Sequence, residues 1–300
     1  MKILLNRSPV RGPWGGGNLF VEACYDILPS LGVEVVSSFE DDIDVILMCD
    51  PRPRPPQNIS INEILAYKKY SPTTKLVHRV NDTDIARNTD SLEPILVGGS
   101  KYVDHAVFIS KWLRDYYYNK GWACKDNTII YNGVADYYCE SEEKIDNGKI
   151  NIVTHHWSAN RMKGFDIYEA IDDWVSSRDD FTFTYIGREN GTFKNTEILG
   201  PFHGEEIAKR LKLYDVYVSA AKYEAMGNHI TESLGCNLST YGHVDGGGVV
   251  ELVGKNNVYE SWEELETILL SKKYLKNSFK PSSWVQCMHE FKEVFDEVVV

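Results

Sequence analysis

The feature that most constrains the fold is an alternation of short apolar runs with amphipathic helical stretches, which restarts halfway along the 300 residues. Such alternation predicts a parallel sheet whose strands are joined by crossover helices. In the first half, a predicted helix covers residues 18–31, and the predicted strands are 2–6, 33–37, 44–49, 75–80, 106–110 and 128–131. The first half therefore predicts one open α/β sheet.

A polar segment, residues 140–148 (ESEEKIDNG), interrupts this pattern and is typical of an interdomain linker. After it, the predicted strands are 151–153, 181–186, 216–220 and 237–241, and the predicted helices are 165–175, 205–213, 227–234, 262–275 and 284–298. The sequence therefore predicts two Rossmann-like α/β domains, residues 1–140 and 150–280, and a terminal helix within 281–300. In such a pair we expect the carboxyl ends of both sheets to face a shared cleft, where ligands bind.

Composition narrows the class of protein. Hydrophobic residues make up 43% and charged residues 25%, a balance typical of globular proteins. No apolar run approaches the roughly 20 residues of a membrane helix, and the N-terminus lacks the pattern of a signal peptide, so we expect a cytoplasmic protein. The six cysteines form no CxxC pair, which favours reduced thiols. A net charge of −12 disfavours a nucleic-acid partner.

The first predicted strand leads into a glycine-rich loop, Pro13 to Asn18 (PWGGGN). Gly16 and Gly17 permit close approach of a ligand, and the helix that follows favours an anion at its N-terminus. The loop matches neither the dinucleotide pattern, since Phe20 stands where a glycine is needed, nor the P-loop. A tight turn without a ligand is the alternative.

A second loop, residues 223–235 (YEAMGNHITESLG), follows the predicted strand 216–220 and opens a helix. Gly227 permits close approach, and the backbone N–H groups of the next residues suit a diphosphate. Glu232 lies within the helix, where it can accept hydrogen bonds from ribose hydroxyls, and Glu224 precedes the helix. Two glutamates at this spacing occur often by chance, but the context of strand, glutamate, glycine and helix points to a nucleotide site.

A third loop, residues 155–165 (HHWSANRMKGF), follows the first strand of the second half. Arg161 and Lys163 precede a helix, where cations suit a bound phosphate better than they suit the helix dipole. The neighbouring His155 and His156 should point to opposite faces of the strand, so we expect no metal site here.

These motifs together resemble the glycosyltransferases of family 4, which have the GT-B fold. The resemblance rests on the E-x7-E pattern from Glu224 to Glu232, on SLG at 233–235, RMKG at 161–164, VDHAVFISKWLRDYY at 103–117, IIYNGV at 129–134 and the GGGN loop. It covers nearly the whole chain in family order. The terminal helix resembles the family's last helix, which crosses back onto the first domain.

The resemblance implies transfer of a hexosyl group from a nucleotide-diphosphate sugar, with retained anomeric configuration and without a metal or other cofactor. It implies that Glu232 binds the ribose, that Glu224 meets the donor sugar or its phosphate, and that Arg161 and Lys163 neutralise the diphosphate. The other residues that it implies are His78 near the transferred sugar, Asn81 and Asp82 on the acceptor side, and Gly16, Gly17, Gly227, Asn228, His229 and Ile230 for the donor.

Two departures and three alternatives accompany this interpretation. The family has Gly-Arg where this chain has His156-Trp157, so one phosphate cation is Arg161 or a histidine. The first domain is small for the family, and the acceptor, whether glycan, lipid or small molecule, stays open.

The alternatives are a binding protein without activity, a nucleotide-sugar epimerase and a DNA-modifying glycosyltransferase of similar fold.

Overall fold

The computed structural model describes residues 1–10, 15–140, 144 and 147–300. The chain divides into two compact units, one of Met1–Gly133 with Ser282–Val300 and the other of Val134–Pro281. The division precedes the polar segment in which the sequence predicts a linker. Residues 141–143 and 145–146 of that segment lie outside the described residues, as do Pro13 and Trp14 of the glycine-rich loop.

The first unit is a six-stranded sheet in the order β2-β1-β3-β4-β5-β6, with every neighbouring pair parallel. Its strands are β1 (Lys2–Leu5), β2 (Glu34–Val36), β3 (Val45–Met48), β4 (Lys75–Val80), β5 (His105–Phe108) and β6 (Asn127–Ile129). Its helices are α1 (Gly16–Ile27), α2 (Ile61–Tyr70), α3 (Glu93–Gly99), α4 (Lys111–Asn119) and, from the end of the chain, α10 (Trp284–Val299).

The second unit repeats this architecture, with a parallel sheet in the order β12-β11-β10-β7-β8-β9. Its strands are β7 (Ile150–His156), β8 (Phe181–Gly187), β9 (Glu197–Leu199), β10 (Val216–Ser219), β11 (Ser239–His243) and β12 (Val258–Tyr259). Its helices are α5 (Phe165–Val175), α6 (Glu205–Leu211), α7 (Asn228–Gly235), α8 (Val249–Val253) and α9 (Trp262–Ser271). The strand order reverses between β7 and β10, which makes their carboxyl ends the topological switch point.

The predicted α/β class with two parallel sheets is confirmed, and each predicted strand lies on an observed strand to within a few residues. The sequence interpretation did not predict β9, β12, α2, α3, α4 or α8. A signal for α2 is present in the sequence, because Ser60 and Glu63 form a capping box at its start.

Helix α10 belongs to the core of the first unit. Its buried residues recur every three or four positions, and Phe291 packs on Phe20 of α1 with ring centroids 4.9 Å apart. Gly133 admits the start of this helix, since a Cβ there would lie 2.6 Å from the backbone of Trp284. Because its apolar face is buried against α1 and the sheet, α10 completes this unit.

The core of the second unit is rich in aromatic side chains. The hydroxyl of Tyr168 in α5 accepts hydrogen bonds from the N–H of Ala220 at 2.9 Å and from the Thr154 hydroxyl at 3.2 Å. It lies 2.7 Å from Nε2 of His156. One buried phenol thereby ties together the carboxyl ends of β7 and β10. No helix among the described ranges is long and apolar enough to cross a membrane.

Candidate functional site

The candidate site of the second unit lies at the switch point, where the loops that follow β7 and β10 meet. Gly164 has a left-handed φ of +81°, and a Cβ there would lie 2.1 Å from the carbonyl oxygen of Ala220. The N–H of Lys222 donates to the carbonyl of Met162 at 2.9 Å, which joins the loops directly. Only a glycine at position 164 permits this approach.

The two loops bring Lys163 and Glu224 together. Nζ of Lys163 donates to Oε1 of Glu224, and both side chains are mostly buried, with 18% and 16% exposed. A third loop, after β11, holds the backbone of Glu224 in place, because the N–H of Gly248 donates to its carbonyl at 2.8 Å. A Cβ at Gly247 would lie 2.6 Å from the same carbonyl oxygen. The sequence interpretation did not assign this third loop to the site.

Helix α7 begins directly after this ion pair. Gly227 precedes it with a φ of +81°, and the helix has neither a side-chain cap nor an acidic residue in its first turn. The N–H of Ile230 donates to the carbonyl of Gly227 at 3.0 Å. The side chains of Ile230 and His229, two of the predicted donor-binding residues, are buried. An uncapped helix start of this kind carries positive potential.

Glu232 lies in α7 and pairs with a residue that sequence reasoning did not connect to it. Its Oε2 is 2.7 Å from Nε2 of His155 in β7. The phenol of Tyr138 lies beside the same carboxylate, and burial together with the charge of Glu232 raises the pKa of that phenol. The two partners are 77 positions apart in the sequence, so only the fold shows that they meet.

His156 and His229 are buried in contact with each other, with ring centroids 4.8 Å apart. Burial, with a smaller effect from the neighbouring Lys163 charge, lowers the pKa of both imidazoles well below its usual value. Nε2 of His229 is 3.0 Å from the hydroxyl of Ser219. Burial thus disfavours the charged form of both histidines, whereas the sequence interpretation left a histidine open as one phosphate cation.

Two arginines lie near the carboxyl ends of β7 and β8. Arg161 is 60% exposed, and its guanidinium donates to the carbonyl of Asn190 at 2.9 Å and lies 3.9 Å from Glu169. Arg188 lies over the ring of Trp157, 4.0 Å from its centroid. Of the predicted cations, Lys163 is thus the one that contacts Glu224.

In the first unit, the start of α1 meets the ends of β1 and β4. A Cβ at Gly17 would lie 3.4 Å from Nη1 of Arg7 and 3.6 Å from the side-chain amide of Asn81. The Asn81 amide, oriented by its neighbours, donates to the carbonyl of Cys49 and accepts from the buried guanidinium of Arg79, each at 3.2 Å. The structure therefore brings the predicted Gly17 and Asn81 together.

His78 and Asp82, which the family resemblance places near the transferred sugar and on the acceptor side, lie within β4 and just after it. His78 lies inside β4 with 1% of its surface exposed, beside Trp122, and neither ring nitrogen has a hydrogen-bond partner among the described residues. The strand continues for two residues beyond His78 before it reaches Asn81, and a place of His78 near the transferred sugar stays a prediction. Asp82 forms an ion pair with Arg87.

The described part of the chain contains no group of three or more histidine, cysteine, aspartate or glutamate side chains placed to hold a metal ion. No model of a known protein family matches the sequence, and no curated protein matches it.

Solved structures, in contrast, are similar over nearly the whole chain. Sucrose-phosphate synthase from Thermosynechococcus elongatus matches with a TM-score of 0.75 at 11% identity, over 99% of this chain and 98% of that one. HepE from Anabaena, solved with UDP and glucose, matches with a TM-score of 0.68 at 15% identity, over 99% of this chain and 100% of that one. The pneumococcal O-GlcNAc transferase GtfA, solved with UDP and GlcNAc, matches at 0.61 and 11% identity, over 85% of this chain and 57% of that one. The fold is therefore the GT-B fold of these glycosyltransferases.

The burial of His78 predicts a dependence of stability on pH. Burial lowers the pKa of His78 to about 3, so below pH 6.5 the unfolded chain binds a proton that the folded chain does not. Between pH 7 and pH 5 this difference removes about 2 kcal/mol from the free energy of unfolding. Between pH 7 and pH 5 we expect the free energy of unfolding of His78→Phe to fall by about 2 kcal/mol less than that of the wild-type protein, as measured by urea unfolding at both values of pH. Equal losses of unfolding free energy in the wild-type protein, His78→Phe and His78→Leu would contradict this prediction.

The contact at Gly164 predicts a second effect, on stability. Gly32 has nearly the same φ, +80°, and nothing lies within 4 Å of its Cβ position, so Gly32→Ala serves as the matched control. We expect Gly32→Ala to cost about 1–2 kcal/mol for the left-handed backbone alone. Gly164→Ala should cost clearly more, because its Cβ would also displace Ala220. Urea unfolding of the two variants measures the difference, and equal costs would show that the two loops do not need this contact.

Proposed function

We propose that this protein is a retaining, metal-independent glycosyltransferase that moves a hexosyl group from a nucleotide-diphosphate sugar to a glycan, lipid or small-molecule acceptor. The observation that carries the proposal is the position of Lys163 and Glu224 beside the uncapped start of α7, at the switch point of the second sheet. Open α/β sheets bind nucleotides at such points. The solved structures of similar fold include complexes with UDP, which supports a nucleotide donor.

In this proposal the two parts of the chain have different substrates. Residues 150–280 bind the donor. Glu232 accepts hydrogen bonds from the ribose hydroxyls, and Glu224 contacts the sugar. The start of α7 and Lys163 bind the diphosphate. Residues 1–140 bind the acceptor, with Asn81 and Asp82 on that side and Gly16 and Gly17 close to the donor phosphates. His78, near the transferred sugar in this proposal, lies buried within β4.

The chemistry explains why a cation and a helix start serve this reaction. Cleavage of the glycosyl–phosphate bond leaves positive charge on the anomeric carbon and adds negative charge to the departing diphosphate. The ammonium of Lys163 and backbone N–H groups at the start of α7 stabilise that negative charge as it develops. When a phosphate accepts from Lys163, the carboxylate of Glu224 is released from its ion pair and faces the positive sugar. Such an arrangement provides the charge that a divalent metal provides in other transferases.

A thermal-shift panel of UDP, GDP, ADP and dTDP sugars tests the proposed donor class. A ligand that binds only the folded state raises its stability by RT ln(1 + [L]/Kd), so at 100 times Kd we expect a gain of about 2.7 kcal/mol for at least one nucleotide. The stabilising sugar should then release its nucleotide in the presence of an acceptor. A protein that no nucleotide sugar stabilises would contradict the proposal. Conversion of the donor to its epimer without an acceptor would favour the epimerase, and transfer to hydroxymethylated DNA would identify a DNA-modifying enzyme.

Lys163→Ala tests the proposed stabilisation of the leaving group. Because the contact grows stronger as the bond breaks, we expect kcat to fall by about 10²–10³, with a smaller change in KM. Lys272→Ala is the matched control, since it removes a lysine of the same unit that forms an exposed ion pair with Asp180. Near-native kcat in Lys163→Ala would contradict the mechanism, and Lys163→Arg should restore part of the rate.

Metal independence is tested by chelation. We expect the transfer rate in EDTA to equal the rate in its absence, because Lys163 and the helix start already supply the positive charge. Loss of activity in EDTA with recovery in Mn²⁺ or Mg²⁺ would show that a metal stabilises the leaving group instead.

A further inference from the structure

The pair formed by His155 and Glu232 connects β7 to α7 inside the proposed donor site. The two side chains are mostly buried, with 11% and 13% exposed, and Nε2 lies 2.7 Å from Oε2. The backbone of His155 is fixed as well, because the hydroxyl of Tyr217 lies 3.1 Å from its N and 3.2 Å from its O. Such double anchoring fixes the imidazole relative to the carboxylate.

The chemistry of the two groups shows which one orients the other. An ionised carboxylate accepts hydrogen bonds and donates none, so Nε2 of His155 carries a proton and donates it to Glu232. Nδ1 of His155 is buried and has no hydrogen-bond partner among the described residues. The polar contact of this ring therefore goes to Glu232, and the imidazole holds the carboxylate in one orientation.

A carboxylate has about four acceptor positions on its two oxygens, so Glu232 keeps the capacity to accept from a ligand while His155 donates to Oε2. A carboxylate oxygen attracts hydrogen-bond donors and repels phosphates, and in the proposed function the donors that lie beside Glu232 are the ribose hydroxyls of the nucleotide. The phenol of Tyr138 hydrogen-bonds the same carboxylate, and its oxygen can still accept from a second, neighbouring hydroxyl. The pair of vicinal hydroxyls on a ribose matches this pair of groups.

We propose that His155 is a positioning residue through which Glu232 selects ribonucleotide donors over 2′-deoxyribonucleotide donors. The inference rests on the proposed function and adds a substrate class to it: UDP-, GDP- or ADP-sugars are accepted, and dTDP-sugars are discriminated against. A 2′-deoxy ligand leaves the oriented carboxylate without one of its donors. Loss of a hydrogen bond to a charged group weakens binding by about 10–100-fold.

The test compares the binding of UDP with that of 2′-deoxy-UDP, and of GDP with 2′-deoxy-GDP, by calorimetry on the full chain. The wild-type protein should prefer the ribose form of its nucleotide by about 10–100-fold. His155→Leu should reduce that preference to within a few-fold, since Glu232 is no longer oriented. His155→Gln should retain most of it, because the amide N–H of glutamine can take the place of Nε2–H. A purely structural role of His155 would not separate these two variants.

The controls separate this inference from loss of folding and from failure of the proposed function. His243→Leu removes a buried histidine of β11 that lies beside Tyr259, and it should keep the wild-type preference. Glu232→Gln should reduce the preference as His155→Leu does, and the double variant should show no further loss. A wild-type ribose preference in His155→Leu, or equal affinities of the wild-type protein for both forms, overturns the inference and leaves the proposed function intact. Absence of binding to every nucleotide overturns both.

Discussion

The arrangement of the candidate site depends on one steric constraint, the contact between Gly164 and the end of β10. No side chain fits at position 164, because a Cβ would lie 2.1 Å from the carbonyl oxygen of Ala220. The close approach of the two loops brings Lys163 to Glu224, and α5 begins at Phe165, directly after Gly164. A lysine ahead of a helix start is unfavourable by itself, since both are positive. Its carboxylate partner offsets this repulsion in the absence of a ligand, and an anionic ligand does so in the proposed complex.

The fold could be predicted from the sequence because both of its sheets are encoded by local patterns. Apolar runs that become fully buried strands, such as Val45–Met48, stand out against their polar surroundings. The elements that sequence reasoning missed carry weaker signals: β12 has two residues, and the helix α8 has five. Strand order is not local, so the position of the switch point between β7 and β10 became known only from the structure.

The candidate site was predictable where its residues lie on one continuous segment. Glu224, Gly227 and Glu232 lie on such a segment, and Lys163 lies beside the glycine that its loop needs. The sequence did not indicate contacts between distant segments, such as His155 with Glu232 or Gly247 with Glu224, because no local pattern encodes them. His78 shows another limit: the family resemblance suggested its role, but the sequence alone did not show that it is buried inside β4, with Asn81 after the strand end.

A structure of the protein with a nucleoside diphosphate bound, UDP or whichever nucleotide binds most tightly, tests the central claim most directly. We expect the diphosphate oxygens at about 3 Å from Nζ of Lys163 and from the first backbone N–H groups of α7, and the ribose hydroxyls on Glu232. Lys163 should then have exchanged its contact with Glu224 for the phosphate. A nucleotide bound elsewhere on the chain, or a diphosphate that leaves the pair of Lys163 and Glu224 intact, would contradict the proposed donor site.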